Sequence, residues 1–404
     1  MLSNRYVRTI ICSRVLLHLG IWIRNYAVLL YVTDLTHNDP LYVSLISVAE
    51  FAPIFLFALI GGTLADRWRP KRTMVGSDFL SAVSVVVVMI ALMNGGWMAL
   101  LLGSFVSASL SQLSQPSAMK LYKRHVPAEQ LQPVMAISQT LVAIFMVLGP
   151  VVGTIIFLKL GIHVSLILTA VLFFGSSIIL GTLPKDSDAE RKATGSSFMN
   201  ELKAGLSYVW SNMALRTLCL SFAVVGFASG LTQPLQIFIA VEQLGQDKSF
   251  LQWLVMTNGA AMLIGGIAMM GFAKKWKPQH MFMAGLLITA VCTIGIGTST
   301  MIWLTIALLI ISGFVYPAIQ GGIQTLMISN TEMAFMGRVS GAIMPVFMGM
   351  MVIGMLLSGV LKNAVHLHGV YVISGLIIIA GSLLLLRLRD GRRSGQSGQS
   401  GINA

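Results

Sequence analysis

The stretch GGTLADRWRPKR, residues 61–72, stands between two long apolar runs, one beginning near Leu41 and the other extending from about Thr73 to Met93. Four basic residues follow Asp66 within six positions. A short basic segment between two apolar runs of this length predicts a cytoplasmic loop that joins two membrane helices. Asp66 falls at the expected end of the first helix, where the helix dipole is negative. Its carboxylate therefore needs a cation or the N-terminus of another helix nearby.

The composition of the whole chain agrees with this. The chain has 404 residues, 56% hydrophobic and 10% charged, with a mean hydropathy of +0.82. A soluble protein carries roughly 25% charged residues, so most of this chain is expected to lie in a membrane. Three cysteines in apolar runs give neither a disulfide framework nor metal-ligand spacing. We therefore expect no metal and no cofactor.

The apolar runs predict twelve spans. They lie near residues 8–32, 41–65, 73–93, 97–118, 133–158, 162–183, 213–240, 250–273, 280–298, 301–326, 338–361 and 366–386. The chain has 27 Lys and Arg residues, and with a cytoplasmic N-terminus only Lys159, Lys248 and Lys362 fall in the outer segments. This bias predicts that both termini are cytoplasmic, and the net charge of +13 indicates membrane orientation rather than binding to nucleic acid.

The spans group into two halves. We expect an N-terminal six-helix half over 1–183, a cytoplasmic linker over 184–212, a C-terminal half over 213–387 and a disordered tail over 388–404. The motif Trp-Arg-Pro at 68–70 returns as Trp-Lys-Pro at 276–278, about half a chain later. The linker carries apolar residues on one helical face, Phe198, Leu202, Leu206, Val209 and Trp210. That face indicates either a helix lying on the membrane surface or one packed on the bundle.

The loop resembles the signature of the major facilitator superfamily, with one departure. The matching residues are Gly62, Asp66, Arg67, Lys71 and Arg72. Arg69 stands where the family usually has Gly. The resemblance implies an all-α membrane fold of twelve helices in two six-helix halves, with the loop as a conformational switch. We expect Asp66 to meet the start of span eleven, near Gly337 and Arg338, in one state.

Other stretches narrow the resemblance to the macrolide-efflux branch. They are residues 19–25, 49–53, 126–131 and the linker helix from Phe198 to Arg216. Gly149, Pro150 and Gly153 resemble the Gly-Pro signature of exporters, although an ordinary packing kink fits them equally well. The resemblance implies export of lipophilic compounds driven by protons. Against proton coupling, span four lacks the Arg that is usual in drug antiporters of the superfamily.

The resemblance also implies that spans one, four, seven and ten line the substrate cavity. The candidate residues there are Trp22, Asn25, Gln112, Gln115, Gln233, Gln236, Tyr316, Gln320 and Gln324. Amides beside aromatic rings would give apolar walls and a few orienting hydrogen bonds. The alternative for each glutamine is a hydrogen bond to a neighbouring helix.

Charges inside the spans are few. Glu50 is expected to be the one acid deep in a span, roughly 14 Å from its outer end, with Arg24 at a similar depth of roughly 12 Å in span one. Because an unpaired charge in the bilayer core is unfavourable, we expect the two side chains to pair. They are the candidates for proton coupling, and the alternative is a static ion pair that joins two helices.

These observations favour a monomeric exporter of lipophilic small molecules in a bacterial-type inner membrane, with a small-molecule substrate, protons and the bilayer as partners and no nucleic acid. A first alternative is a transporter of another cargo, such as a lysolipid, a siderophore or a nutrient. A membrane enzyme is disfavoured, since the sequence offers no His-x-x-Glu-His motif, no paired carboxylates and no Ser/His/Asp set at membrane depth.

Overall fold

The computed structural model describes residues 4–67, 69–184, 198–272, 277–332 and 335–385; within these ranges the side chains of 58–67, 198–201, 270 and 272 lie outside the description. The described residues are almost entirely helical and include no strand. The predicted all-α class is confirmed. The predicted tail, 388–404, lies outside the described residues.

Eleven helices make up the described part of the chain. They are α1 (Arg5–Leu35), α2 (Pro40–Arg67), α3 (Pro70–Met93), α4 (Ala99–His125), α5 (Ala128–Gly181), α6 (Phe198–Ser211), α7 (Met213–Thr232), α8 (Leu251–Phe272), α9 (Pro278–Thr298), α10 (Ile302–Ser329) and α11 (Met336–Leu384). Beyond Thr232 the α7 segment continues through a 3₁₀ turn, Gln233–Leu235, a short α turn, Gln236–Phe238, and a π turn, Ile239–Gln243.

Two of these helices are long enough to cross a membrane twice. The α5 and α11 helices have 54 and 49 residues, or about 81 and 74 Å at 1.5 Å per residue, against a hydrocarbon core of roughly 30 Å. Each is interrupted at a residue with positive φ, Gly161 (φ 73°) in α5 and His366 (φ 60°) in α11. The predicted spans five and six are therefore two helices that meet at Gly161, and spans eleven and twelve are two helices that meet at His366.

Nine described segments are long and apolar enough to span a membrane. The α4 helix is not among them, because its serines and glutamines lower its hydropathy. With α4 included, and with two passes each for α5 and α11, the described helices fit the predicted twelve spans.

The chain divides into two compact units. Unit 1 is Met1–Phe198 with Lys248–Met256, and unit 2 is Met199–Asp247 with Thr257–Ala404. The start of α8 thus belongs to unit 1, whereas the sequence pattern assigned it to the C-terminal half. At this position Lys248 forms an ion pair with Asp34, at the end of α1.

In unit 1, α1 packs along α5, α3 packs on α4 and α5, and α2 packs on α4. Small residues allow the close approach. A Cβ added at Gly20 would lie 2.7 Å from the ring of Phe173, and one at Gly103 would lie 2.3 Å from Val88. Glycines at helix contacts of this kind are typical of membrane bundles, where close backbone packing replaces the hydrophobic driving force.

Unit 2 is built on the same principle. The α7 helix packs on α11, and α9 packs on α10 and α11. A Cβ at Gly230 would lie 2.0 Å from the Met351 carbonyl oxygen, and one at Gly354 would lie 2.3 Å from that of Phe227. These two glycines allow the backbones of α7 and α11 to meet directly.

The linker helix α6 packs on unit 2. Val209 is fully buried, and Tyr208 stacks on Phe335 with 4.4 Å between ring centroids. A Cβ at Gly205 would lie 2.3 Å from the carbonyl oxygen of Arg338. Trp210, in contrast, is exposed. Of the two alternatives for this helix, the contacts favour packing on the bundle.

Candidate functional site

Arg24 lies deep in α1 with an incomplete set of partners. It is 4% exposed and stands eleven residues before Leu35, or about 17 Å along the helix. Its Nε and Nη2 donate to Asn25 Oδ1 at 3.1 and 2.8 Å. Its Nη1 is buried and has no hydrogen-bond partner in the described part of the chain. A buried guanidinium with a free N–H requires an explanation, because most buried donors are satisfied.

Glu50 lies in the same layer of unit 1. It is half-buried, ten residues after Pro40, or about 15 Å along α2. Its carboxylate is within electrostatic range of Arg24 and Tyr26. Among the described side chains, however, Arg24 and Glu50 form no ion pair within 4 Å. The expected direct pairing is thus not formed: Nε and Nη2 of Arg24 donate to the neighbouring Asn25, and Nη1 has no partner in the described part of the chain.

The face of α1 next to these charges is covered by the glycine motif of α5. A Cβ at Gly149 would lie 2.4 Å from the indole of Trp22, and one at Gly153 would lie 2.7 Å from the Trp22 carbonyl oxygen and 2.9 Å from Tyr26 Cβ. The rings of Trp22 and Tyr26 lie 5.9 Å apart. Gly149, Gly153 and the buried Pro150 therefore bring α5 against an aromatic part of α1.

The polar residues of α4 divide into two groups. Ser104 and Ser107 are buried, and their hydroxyls have no hydrogen-bond partner within the described residues. Gln112 is half-buried and Gln115 is exposed. The predicted cavity glutamines of α4 are thus more accessible than Ser104 and Ser107, which pack inside unit 1.

In unit 2 the candidate residues lie on α7 and α10. The Gln320 amide donates to the Tyr316 hydroxyl at 2.9 Å, one helical turn away, and Gln324 is exposed one turn further along. Gln236 is exposed, whereas Gln233 Oε1 is buried with no hydrogen-bond partner among the described atoms. Tyr316 and Gln320 are therefore joined by a hydrogen bond. The Oε1 atom of Gln233 remains available to accept one.

The structure describes only part of the predicted switch loop. The backbone of Gly62, Asp66 and Arg67 is helical, but their side chains lie outside the described residues, as does the expected contact of Asp66 with span eleven. Lys71 Nζ donates to the carbonyl oxygens of Gly181, at 2.9 Å, and of Leu183. Lys71 therefore joins the start of α3 to the end of α5. Arg72 is exposed and takes part in a polar contact.

Sequence reasoning missed one buried acid. Asp78 is 2% exposed in α3, eight residues after Pro70, or about 12 Å along the helix. The sequence pattern places Asp78 near the inner end of span three and predicts no such burial. The α3 helix begins at Pro70, a residue suited to the first helical position, rather than at the predicted Thr73. The sequence feature that could have indicated this burial is a single carboxyl within an apolar run.

Long apolar helices in two units, with isolated charges and amides deep in the spans, define a multi-pass membrane transporter. The chain belongs to the Major Facilitator Superfamily, whose family model matches residues 10–350 and 218–403. Its membership makes it a transporter and not an enzyme.

Relatives of the chain include proteins named for efflux. It is 25% identical to multidrug efflux pump Tap of Mycolicibacterium fortuitum over 376 residues, 88% of this chain and 90% of the relative. It is 22% identical to macrolide efflux protein A of Streptococcus pyogenes over 380 residues, covering 91% and 92%.

Solved structures with the same fold have other cargoes in their names. The nucleoside transporter NupG aligns with a TM-score of 0.76 at 13% identity, covering 95% of this chain and 99% of that one. A POT family transporter in complex with 5-aminolevulinic acid aligns with a TM-score of 0.73 at 14% identity, covering 95% and 96%. At these identities the likeness establishes the fold alone.

The contact between α1 and α5 gives a testable prediction. Gly153→Val places a branched side chain against the Trp22 backbone, so we expect it to destabilise the protein by about 1–3 kcal/mol, as overpacking usually does. The measurement is the thermal unfolding midpoint of the purified protein. Gly181→Ala is the control, because a Cβ there meets nothing within 4 Å. An unchanged midpoint in Gly153→Val would show that α1 and α5 are not closely packed.

Proposed function

We propose that this chain is a secondary active exporter of lipophilic small molecules that works by alternating access and exchanges its cargo for protons. We place it as a monomer in a bacterial inner membrane with both termini in the cytoplasm. Sequence similarity over about nine tenths of the chain to two proteins named for drug and macrolide efflux supports the cargo class. The scarcity of Lys and Arg in the predicted outer segments supports the orientation.

The candidate side chains within each unit suit a lipophilic cargo. Unit 1 offers the half-buried side chains of Trp22 and Asn25 on α1. Unit 2 offers the tyrosine–glutamine pair of α10, Tyr316 and Gln320. Aromatic surface with a few fixed hydrogen-bonding groups is the usual lining of a small-molecule site. Such side chains favour molecules with extended apolar parts.

The placement of Glu50 carries the proposal of proton coupling. Its carboxyl lies about 15 Å into a membrane helix, close enough to Arg24 to sense its charge but without a direct ion pair among the described side chains. A proton can therefore bind Glu50 without first breaking such a pair. A carboxyl at this depth gains a proton or a positive partner readily, because its bare charge is poorly solvated there.

We propose that the loop of residues 61–72 acts as the conformational switch, as the family resemblance implies for Gly62, Asp66, Arg67, Lys71 and Arg72. The bonds of Lys71 to the carbonyl oxygens of Gly181 and Leu183 support one part of this role. These bonds join the start of α3 to the end of α5. A movement of the loop would therefore also move the end of span six.

The cargo class is tested by growth. An efflux-deficient bacterial host that expresses the chain should tolerate several-fold more of a macrolide such as erythromycin, or of a lipophilic dye such as ethidium, than the same host with an empty vector. The measurement is the minimal inhibitory concentration across a panel of such compounds, with the chain detected in the membrane fraction. Unchanged values for every compound would reject the proposed cargo class.

Proton coupling is tested by Glu50→Gln. This change keeps the shape of the side chain and removes its ability to take a proton. In proteoliposomes that contain the purified chain, we expect an imposed pH gradient to drive ethidium movement by the unaltered protein and to drive little or none by Glu50→Gln. Ethidium binding, followed by its fluorescence, should persist in the variant.

The matched control is Glu129→Gln, which removes an exposed acid in the first turn of α5. We expect this variant to respond to the gradient like the unaltered protein. If Glu50→Gln moves ethidium as fast as Glu129→Gln does under the same gradient, Glu50 has no part in coupling and has a structural role only.

A further inference from the structure

Unit 1 contains a second buried carboxyl that the proposed coupling through Glu50 does not use. Asp78 is 2% exposed and lies about 12 Å into α3 from the end nearest the 61–72 loop. The Ser176 hydroxyl of α5 lies 2.6 Å from Asp78 Oδ2 and 3.1 Å from the Ser13 carbonyl oxygen of α1. Ser176 is itself fully buried. One hydroxyl therefore joins three helices.

The number of hydrogens available between Asp78, Ser176 and the Ser13 carbonyl oxygen indicates whether Asp78 carries a proton. A serine hydroxyl has one hydrogen to donate, yet the Ser176 oxygen lies within hydrogen-bond distance of two oxygens. If Asp78 is a carboxylate, Ser176 must donate to it, and the contact with the Ser13 carbonyl oxygen brings two acceptors together with no hydrogen between them. If Asp78 carries a proton, Asp78 donates to Ser176, and Ser176 donates to the Ser13 carbonyl oxygen. Both short contacts are then hydrogen bonds.

No described cation forms a close ion pair that would neutralise an Asp78 carboxylate in place of a proton. The cation within its electrostatic range is Arg14 of α1, whose Nη2 donates to the Ser114 carbonyl oxygen of α4 at 3.0 Å. Among the described residues, Arg14 and Asp78 form no ion pair within 4 Å. From α4, Tyr122 faces Arg14, and His18 of α1 is also within range of Arg14. From α5, the group in contact with Asp78 is the neutral Ser176.

A bare carboxylate with one hydroxyl donor is unfavourable in a buried position. We propose that Asp78 is a proton-binding site of unit 1, with Ser176 as its acceptor and the Ser13 carbonyl oxygen as the end of the chain of hydrogen bonds. The site is separate from Glu50, which lies in α2 nearer the Pro40 end. Its part in transport rests on the proposed function, but the presence of the proton does not.

Infrared spectroscopy tests the site without any transport assay. The purified protein in lipid at neutral pH should show the carbonyl stretch of a protonated, hydrogen-bonded carboxylic acid. This band should be absent in Asp78→Asn, whose amide can still donate to Ser176 and so preserves the fold. Ser176→Ala should keep the band but shift it to higher frequency, because the acid loses its hydrogen-bond acceptor.

Two controls assign the band. Glu129→Gln, at an exposed acid, should leave the spectrum unchanged, and Glu50→Gln should leave the Asp78 band in place. Spectra of Asp78→Asn and Ser176→Ala that both match the unaltered protein in the carboxylic acid region would overturn the proposal. Since no cargo is involved, this result would leave the proposed export function standing, and a failed growth panel would leave the Asp78 site standing.

Discussion

The absence of water from the bilayer core is the constraint on which this structure depends. Every polar group placed there must find its partner within the protein, so the backbone is helical and the helices approach closely. Glycines at the contacts, such as Gly153 beneath Trp22 and Gly230 against Met351, leave room for direct backbone packing. The same constraint makes each buried charge informative, because none is retained without a partner or a role.

Three titratable side chains within the helices of unit 1 have neutral groups as their hydrogen-bond partners. Arg24 donates to an amide, Arg14 to a backbone carbonyl oxygen, and Asp78 contacts a hydroxyl. A neutral group contacts each of these three side chains. Among the described residues, neither Arg24 nor Arg14 forms an ion pair within 4 Å with Glu50 or Asp78. A direct ion pair in a dry interior is difficult to break. A buried carboxyl held by a neutral group can instead gain or lose a proton while the helices stay packed, which the proposed exchange of cargo for protons requires.

Much of the fold could be predicted from the sequence, because apolar runs of about twenty residues have few alternatives to a membrane helix. The shared depth of Arg24 and Glu50 also followed from counting residues along α1 and α2. Their direct pairing did not, because the competing amide is the adjacent Asn25 and side-chain geometry decides between them. The burial of Asp78 did not follow, because the sequence does not show which face of α3 packs on α5. The boundary between spans eleven and twelve near His366 was predicted, but the positive φ of this residue was not, since positive φ is uncommon for residues other than glycine.

The proposed exchange of cargo for protons at Glu50 requires that cargo binding release a proton. The most direct measurement counts the protons released per protein when ethidium binds to the purified chain in weakly buffered solution, with a pH-indicator dye for the protons and ethidium fluorescence for the binding. We expect binding to acidify the solution, because cargo displaces the proton from Glu50. Ethidium binding without any proton release would contradict it.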